Sequence, residues 1–135
     1  MKKLLLAATA AVVFASPAAA FRLSCEMHDL GYGFISDFMG FELSEDKKSV
    51  MVYGAVIHHV HGQPIKIAVK DRGNGKYRFS YRLNNIAARP RPADVNYTVN
   101  LNTRANTVTV RGLMPAVTNS IAGKGKCEDG WVSVR

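Results

Sequence analysis

The sequence predicts an all-β protein: a small antiparallel barrel of about eight strands, with a two-sheet β-sandwich as the alternative. Three observations support this prediction. Apolar and polar residues alternate along most segments, turn residues separate these segments, and no stretch after residue 20 shows a convincing helical period. Many short antiparallel strands in one small domain either close on themselves or form two packed sheets.

The N-terminal segment is organised like a secretory signal peptide. Lys2 and Lys3 precede an apolar stretch, residues 4–14, that is too short to span a bilayer, and small residues follow at positions 18–20. We therefore predict a signal peptide at residues 1–20 and a single β domain at residues 21–135. The predicted location is the periplasm or the outside of the cell.

Two cysteines lie near the two ends of the predicted domain, Cys25 and Cys127. In an oxidising compartment we expect them to form a disulfide that joins the first strand to a late one. The chain-entropy model assigns about 4–5 kcal/mol to closing so long a loop. Redox-active free thiols are the alternative, but the sequence has no C-x-x-C spacing.

The first part of the domain is predicted to contain three strands. Alternation of apolar and polar residues over residues 21–28 indicates a half-buried strand that directs Cys25 inward. Residues 34–43 and 50–57 are apolar on both sides, which favours strands covered on both faces, a ligand cleft or a dimer contact. We predict residues 58–63 to be a loop or the end of a strand.

The clearest local signal is a hairpin over residues 64–83. Both arms alternate, and an Asn74-Gly75 turn joins them. Ile65, Ile67 and Val69 on one arm and Tyr77, Phe79, Tyr81 and Leu83 on the other are predicted to face the core.

The remaining segments complete the sheet. Residues 84–94 are predicted to be irregular, with an extended backbone at residues 89–92, Arg-Pro-Arg-Pro. A second hairpin follows at residues 95–111, with its turn at 103–106. We expect a glycine-weakened strand at residues 119–127 and a short last strand at 131–134.

Charge is distributed unevenly along the chain. Removing Lys2 and Lys3 leaves sixteen Lys and Arg against ten Asp and Glu, a net charge of +6. Residues 64–126 carry twelve basic and two acidic residues, whereas residues 21–63 carry three basic and six acidic residues. Such asymmetry indicates an anionic partner or a polar molecule with one positive side.

The predicted hairpin concentrates cations on its outward side. The candidate ligand-binding residues are Lys66, Lys70, Lys76, Arg78 and Arg82. The cations that would extend this patch are Arg89, Arg91, Arg104, Arg111, Lys124 and Lys126. Like charges on adjacent strands are destabilising unless a partner neutralises them.

The leading hypothesis is therefore a non-catalytic binding protein whose basic sheet face binds an anionic envelope component or an acidic protein. The alternative is a solvated face that only keeps the protein soluble. Nucleic acid is not expected, because Tyr77, Phe79 and Tyr81 point to the core and not between the cations. We do not expect the protein to span a membrane, because the outward cations are incompatible with a lipid-facing surface.

A histidine cluster supports a second hypothesis, a metal-handling protein. His58, His59 and His61 lie within four positions. In a strand, His59 and His61 would share a side and could hold Cu, Ni or Zn, with Met51 or His28 as a further ligand. An exposed polar loop is the alternative.

Catalytic residues are not predicted. The sequence contains neither G-x-S-x-G nor H-E-x-x-H, and its acidic residues lie mostly in turns. A third hypothesis is a carrier that holds a small apolar ligand between residues 39–43 and 51–57.

Overall fold

The computed structural model describes residues 21–116 and 119–130. The predicted signal peptide, residues 1–20, and the predicted last strand, residues 131–134, lie outside the described residues. The strands are β1 (Phe21–His28), β2 (Phe38–Leu43), β3 (Ser49–Gly54), β4 (Ile65–Ala68), β5 (Lys70–Gly73), β6 (Lys76–Ile86), β7 (Ala93–Asn102), β8 (Thr107–Met114) and β9 (Asn119–Asp129). A helix, α1 (Ala55–His61), and a short 3₁₀ helix (Gly31–Gly33) complete the described elements.

All nine strands belong to one antiparallel sheet in the order β4-β3-β2-β1-β9-β8-β7-β6-β5. β4 and β5 lie at opposite ends of this order, although only Val69 separates them in the chain. The segment 65–73 therefore pairs first with β3 and then with β6, and it brings the two edges of the sheet together. The result is a nearly closed barrel, which confirms the predicted fold class.

The predicted hairpin at residues 64–83 forms only in part. Lys70 lies opposite Arg78 on β6, whereas Ile65 lies opposite Val52 on β3. A complete hairpin would leave the edge of β3 without a partner, and an open edge exposes unpaired backbone N–H and C=O groups. Dividing one strand between two partners covers the β3 edge at residues 49–52 and the β6 edge at residues 76–78.

Helix α1 occupies residues that the sequence analysis assigned to the end of a strand and a loop. Its one buried residue is Ile57, and Gly62 ends it in the left-handed region with φ 74°. A helix of seven residues with one buried side chain is too short to show a helical period. Its packing against β3 and β6 determines its conformation.

Two other predicted boundaries also differ. β2 begins at Phe38 and not at residue 34, while β6 continues to Ile86 through an irregularity in its pairing with β7. The irregular segment is therefore shorter than predicted and covers residues 87–92.

The core fills the barrel. The largest fully buried side chains are Phe41, Leu23, Leu43, Ile57, Leu83, Leu101, Val50, Val52, Val95, Val99, Val108 and Val110. The Phe41 and Phe79 rings meet edge to face, with centroids 5.7 Å apart. Cys25 and Cys127 lie directly opposite each other on β1 and β9 and form the predicted disulfide.

The segment between β1 and β2 and helix α1 meet beside the interior. The Ser36 hydroxyl oxygen accepts a hydrogen bond from the Val56 backbone N–H at 3.0 Å, and the Tyr97 hydroxyl donates one to the Phe34 carbonyl. The void between these elements is about 10 Å³. Within the described residues no helix is both long and apolar enough to cross a bilayer.

Candidate functional site

Cations and polar side chains form a row across the outer surface of β5 to β9. Each residue lies opposite the next on the neighbouring strand, in the order Lys70, Arg78, Asn100, Thr109 and Lys124. All five are exposed; on β6 to β9 alternation directs their neighbours along each strand into the core, whereas every residue of β5 is exposed. The row therefore has two cations at one end, one at the other, and amide and hydroxyl groups between them.

The rows on either side add further cations. In the row on one side, Arg111 lies between Thr98 and Ala122. In the row on the other side, Lys76 lies at one end and Lys126 at the other. We call the exposed surface formed by these six cations the basic face. Its cations are Lys70, Lys76, Arg78, Arg111, Lys124 and Lys126.

The cations of the basic face lack carboxylate partners in the described part of the chain. The ion pairs found there join Arg22 to Glu42 and Arg82 to Asp94, each at 3.4 Å. Neither involves a residue of the basic face. Glu26 on β1 lies directly opposite Lys126, at the edge of this surface, and the cations from Lys70 to Lys124 have no ion pair among the described residues.

A shallow, open depression of about 890 Å³ lies within the basic face. Arg78, Arg111 and Lys124 line it, and Asp29 is the acidic residue among its lining residues. The small side chain of Ala122 leaves room for this depression. Ala122 faces outward on β9, directly opposite Arg111 on β8. The polar residues that line it are Asn96, Thr98, Asn100, Thr109 and Ser120.

The structure brings together three of the five predicted binding residues, Lys70, Lys76 and Arg78. Arg82 belongs to a local network instead, with its guanidinium donating to Asn84 at 2.7 Å and pairing with Asp94. Lys66 lies opposite Met51 on β3, because β4 pairs with that strand and not with β6. It lines a separate depression of about 760 Å³ beside Arg82.

The cations named as extensions of the patch divide into two groups. Arg111, Lys124 and Lys126 belong to the basic face. Arg104 lies in the turn between β7 and β8, while Arg89 and Arg91 line a second depression at one end of the barrel.

This second depression, the end groove, has a volume of about 580 Å³. Its lining includes Tyr32, Phe34, Arg89 and Arg91, together with the acidic residue Asp94, which is paired with Arg82. The Tyr32 side chain is 95% exposed, and its backbone has a positive φ of 57°. Sequence analysis did not identify Tyr32; the signal for it was an aromatic residue between two glycines, Gly31 and Gly33, in a segment without alternation.

The histidines do not have the geometry expected of a strand. His58, His59 and His61 are exposed residues of α1. Residues three apart are neighbours on a helix, so His58 and His61 share a side and His59 is turned away from His61. The described residues contain no group of three or more His, Cys, Asp or Glu side chains placed to hold a metal ion.

Two tyrosines of the core have strongly raised pKa values. Burial raises the pKa of Tyr81 and Tyr97 well above the usual value, and these rings stack at 5.0 Å between centroids. The interior void of about 10 Å³ beside them is smaller than an apolar ligand. The basic face and the end groove, by contrast, are exposed surfaces that combine cations with a depression.

A comparison with known proteins found no matching family, no similar curated protein and no similar solved structure. The function is therefore argued from the geometry and charge of these surfaces.

Proposed function

We propose that this protein is a secreted or periplasmic, non-catalytic binding protein that binds an anionic component of the cell envelope through the basic face. The observation that carries the proposal is the row from Lys70 and Arg78 to Lys124, whose cations have no ion pair among the described residues. The signal-peptide pattern and the disulfide support an oxidising location outside the cytoplasm.

The cost of the unpaired cations supports binding. Lys70 lies directly opposite Arg78, and like charges at such positions destabilise a sheet. An anion removes this repulsion and adds attraction, which is worth roughly 1 kcal/mol per Lys or Arg near an anionic membrane surface. The basic face therefore gains free energy when an anionic partner covers it.

The dimensions of the basic face favour an extended partner over a single small anion. The row crosses five strands, and neighbouring strands lie about 4.8 Å apart, so it is roughly 19 Å wide. The Asn100 and Thr109 side chains in its centre offer hydrogen-bond donors and acceptors between the charges. Anionic lipid headgroups, acidic glycans and acidic proteins all present charges at several positions.

A charge-reversal experiment tests this proposal. The full chain is exported, purified with its disulfide intact, and sedimented with isolated cell-envelope fragments in 0.01 M and 1 M salt. We expect retention at low salt and release at high salt, because the Debye length falls from about 30 Å to about 3 Å. The double variant Arg78→Glu/Lys124→Glu should bind at least about tenfold more weakly, because two attractions become repulsions.

The matched control is Lys47→Glu/Lys48→Glu, in the turn between β2 and β3. It changes the net charge by the same amount outside the basic face; the Lys48 carbonyl accepts a hydrogen bond from the Val69 N–H, next to Lys70, while both substituted side chains belong to the turn. We expect it to bind like the wild type. Equal weakening in both double variants would show that net charge alone drives retention, and unchanged binding by the Arg78/Lys124 variant would refute the proposal. Retention that requires envelope proteins would point to an acidic protein partner instead.

A further inference from the structure

We infer that the anionic partner is an acidic polysaccharide, and that one of its sugar rings stacks on Tyr32 in the end groove while its charged groups continue onto the basic face. This inference rests on the proposed function and names the chemical class of its ligand. It adds a second binding element that the charge pattern does not contain.

Tyr32 is the first observation. The residue is almost fully exposed, at 95%, and its backbone lies in the left-handed region, which is unfavourable for a bulky residue. Strained backbones of this kind concentrate at ligand sites. Gly31 and Gly33 on either side also have positive φ, so all three residues of this segment have a left-handed backbone. An exposed aromatic face is the surface that the C–H groups of a pyranose ring pack against.

The arginines of the end groove are the second observation. Arg89 and Arg91 line the groove with Tyr32, and each is followed by a proline that restricts the backbone. A guanidinium group binds a carboxylate or phosphate through two parallel hydrogen bonds. A groove with an aromatic ring and two such groups fits a sugar ring that carries an acidic substituent.

The third observation is that the end groove and the basic face are continuous. Ser120 and Ile121 line both depressions. Ser120 lies four positions before Lys124 on β9, so the path between them is about 13 Å long. A chain seated on Tyr32 therefore reaches the row that contains Arg78 and Lys124 without leaving the surface of the protein.

The polar groups along this path favour a glycan. Asn96, Thr98, Asn100 and Thr109 lie between the cations, with the apolar residues Leu113 and Ala122 beside them, so the depression offers hydroxyl, amide and apolar groups next to its charges. A polysaccharide presents hydroxyl groups between its acidic groups and can satisfy both. A lipid bilayer presents a flat layer of headgroups. Binding to such a layer would require neither a concave path nor a projecting aromatic ring.

The test uses the purified, oxidised full chain and four probes in low salt. These are polygalacturonate as an acidic glycan, dextran as a neutral glycan, polyglutamate as an acidic polypeptide, and vesicles containing phosphatidylglycerol. We expect polygalacturonate to bind and dextran not to bind. Tyr32→Ala should weaken polygalacturonate binding at least fivefold, whereas Tyr32→Phe should stay within twofold of the wild type because it keeps the ring. The Tyr32 ring signals should shift in NMR spectra on addition of polygalacturonate.

The variants separate this inference from the proposed function. If polygalacturonate binding is lost in Arg78→Glu/Lys124→Glu but is equal in Tyr32→Ala and the wild type, the stacking role of Tyr32 is overturned. The binding role of the basic face then stands. Binding of polyglutamate or vesicles, but not of polygalacturonate, would overturn the glycan assignment alone. Tyr32-dependent binding that survives the double charge reversal would overturn the proposed function. No binding of any anionic probe would overturn both. Because Tyr32 is exposed, its replacement should leave the unfolding midpoint unchanged. Measuring this midpoint shows whether each Tyr32 variant is folded.

Discussion

Tyr97 connects the interior of the barrel to the segment that carries Tyr32. Its ring is 2% exposed and stacks on Tyr81, while its hydroxyl donates a hydrogen bond to the Phe34 carbonyl. A buried phenol needs such a partner, because an unpaired hydroxyl in the core is costly. One side chain thus contributes to the core and also holds the segment beside the end groove.

The tyrosines also predict how stability changes at alkaline pH. Burial raises the pKa of Tyr81 and Tyr97 in the folded protein, so the unfolded chain loses these protons first. Their contribution to stability is therefore fully present below about pH 10 and is lost as the pH rises further. We expect Tyr81→Phe to reduce the slope of unfolding free energy against pH by about 1.4 kcal/mol per unit above pH 10.

Urea unfolding between pH 8 and 12 measures this slope. Tyr32→Phe is the control, because Tyr32 is exposed and should not contribute. Identical slopes in Tyr81→Phe and the wild type would contradict the assignment.

At the scale of elements, β9 shows why glycines occupy inward positions of a strand. Gly123 and Gly125 alternate with Lys124 and Lys126, which face outward. A Cβ at Gly125 would lie 2.6 Å from the Glu26 carbonyl oxygen and 2.7 Å from the Met27 sulfur. The missing side chains let the β1 backbone lie close beside β9, whereas the outward positions remain available to the basic face.

Gly125→Ala should therefore destabilise the protein by about 1–3 kcal/mol, the usual cost of overpacking a filled core. The backbone oxygen of Glu26 cannot move aside as a flexible side chain would. Chemical denaturation measures the change, with Lys126→Ala, exposed on the same strand, expected within about 0.5 kcal/mol of the wild type. Equal stabilities of the two variants would show that the strands can separate without cost.

At the scale of the whole molecule, the disulfide restrains almost the entire domain. Cys25 and Cys127 are 102 positions apart and lie on strands that are neighbours in the middle of the sheet order. The seam of the barrel lies elsewhere, where the segment 65–73 passes from β3 to β6. The disulfide thus stabilises the fold by restricting the unfolded chain and does not close the barrel.

Replacing both cysteines, Cys25→Ala/Cys127→Ala, should lower the free energy of unfolding by about 4–5 kcal/mol, the value that the chain-entropy model assigns to a loop of this length. Urea unfolding of this variant and of the wild type, each with and without reductant, provides the measurement. Reductant should lower the stability of the wild type and leave the variant unchanged. A loss below about 1 kcal/mol would show that the unfolded chain stays compact without the bond.

The sequence by itself determined which side chains face inward on β1 and on β6 to β9, because a period of two is a local property of an extended chain. It also predicted the hairpin of β7 and β8 and the pairing of Cys25 with Cys127. The outward orientation of Lys70, Arg78 and Lys124 followed from the same alternation.

Only the tertiary structure decided which of these residues are neighbours. The division of residues 65–73 between two strands and the separation of Lys66 from Arg78 depend on pairing the edges of β3 and β6. The helical conformation of α1 depends on its packing against β3 and β6. The basic face and the end groove likewise combine residues from distant parts of the chain. Alternation determines the face of each strand, but the pairing register determines what lies beside it.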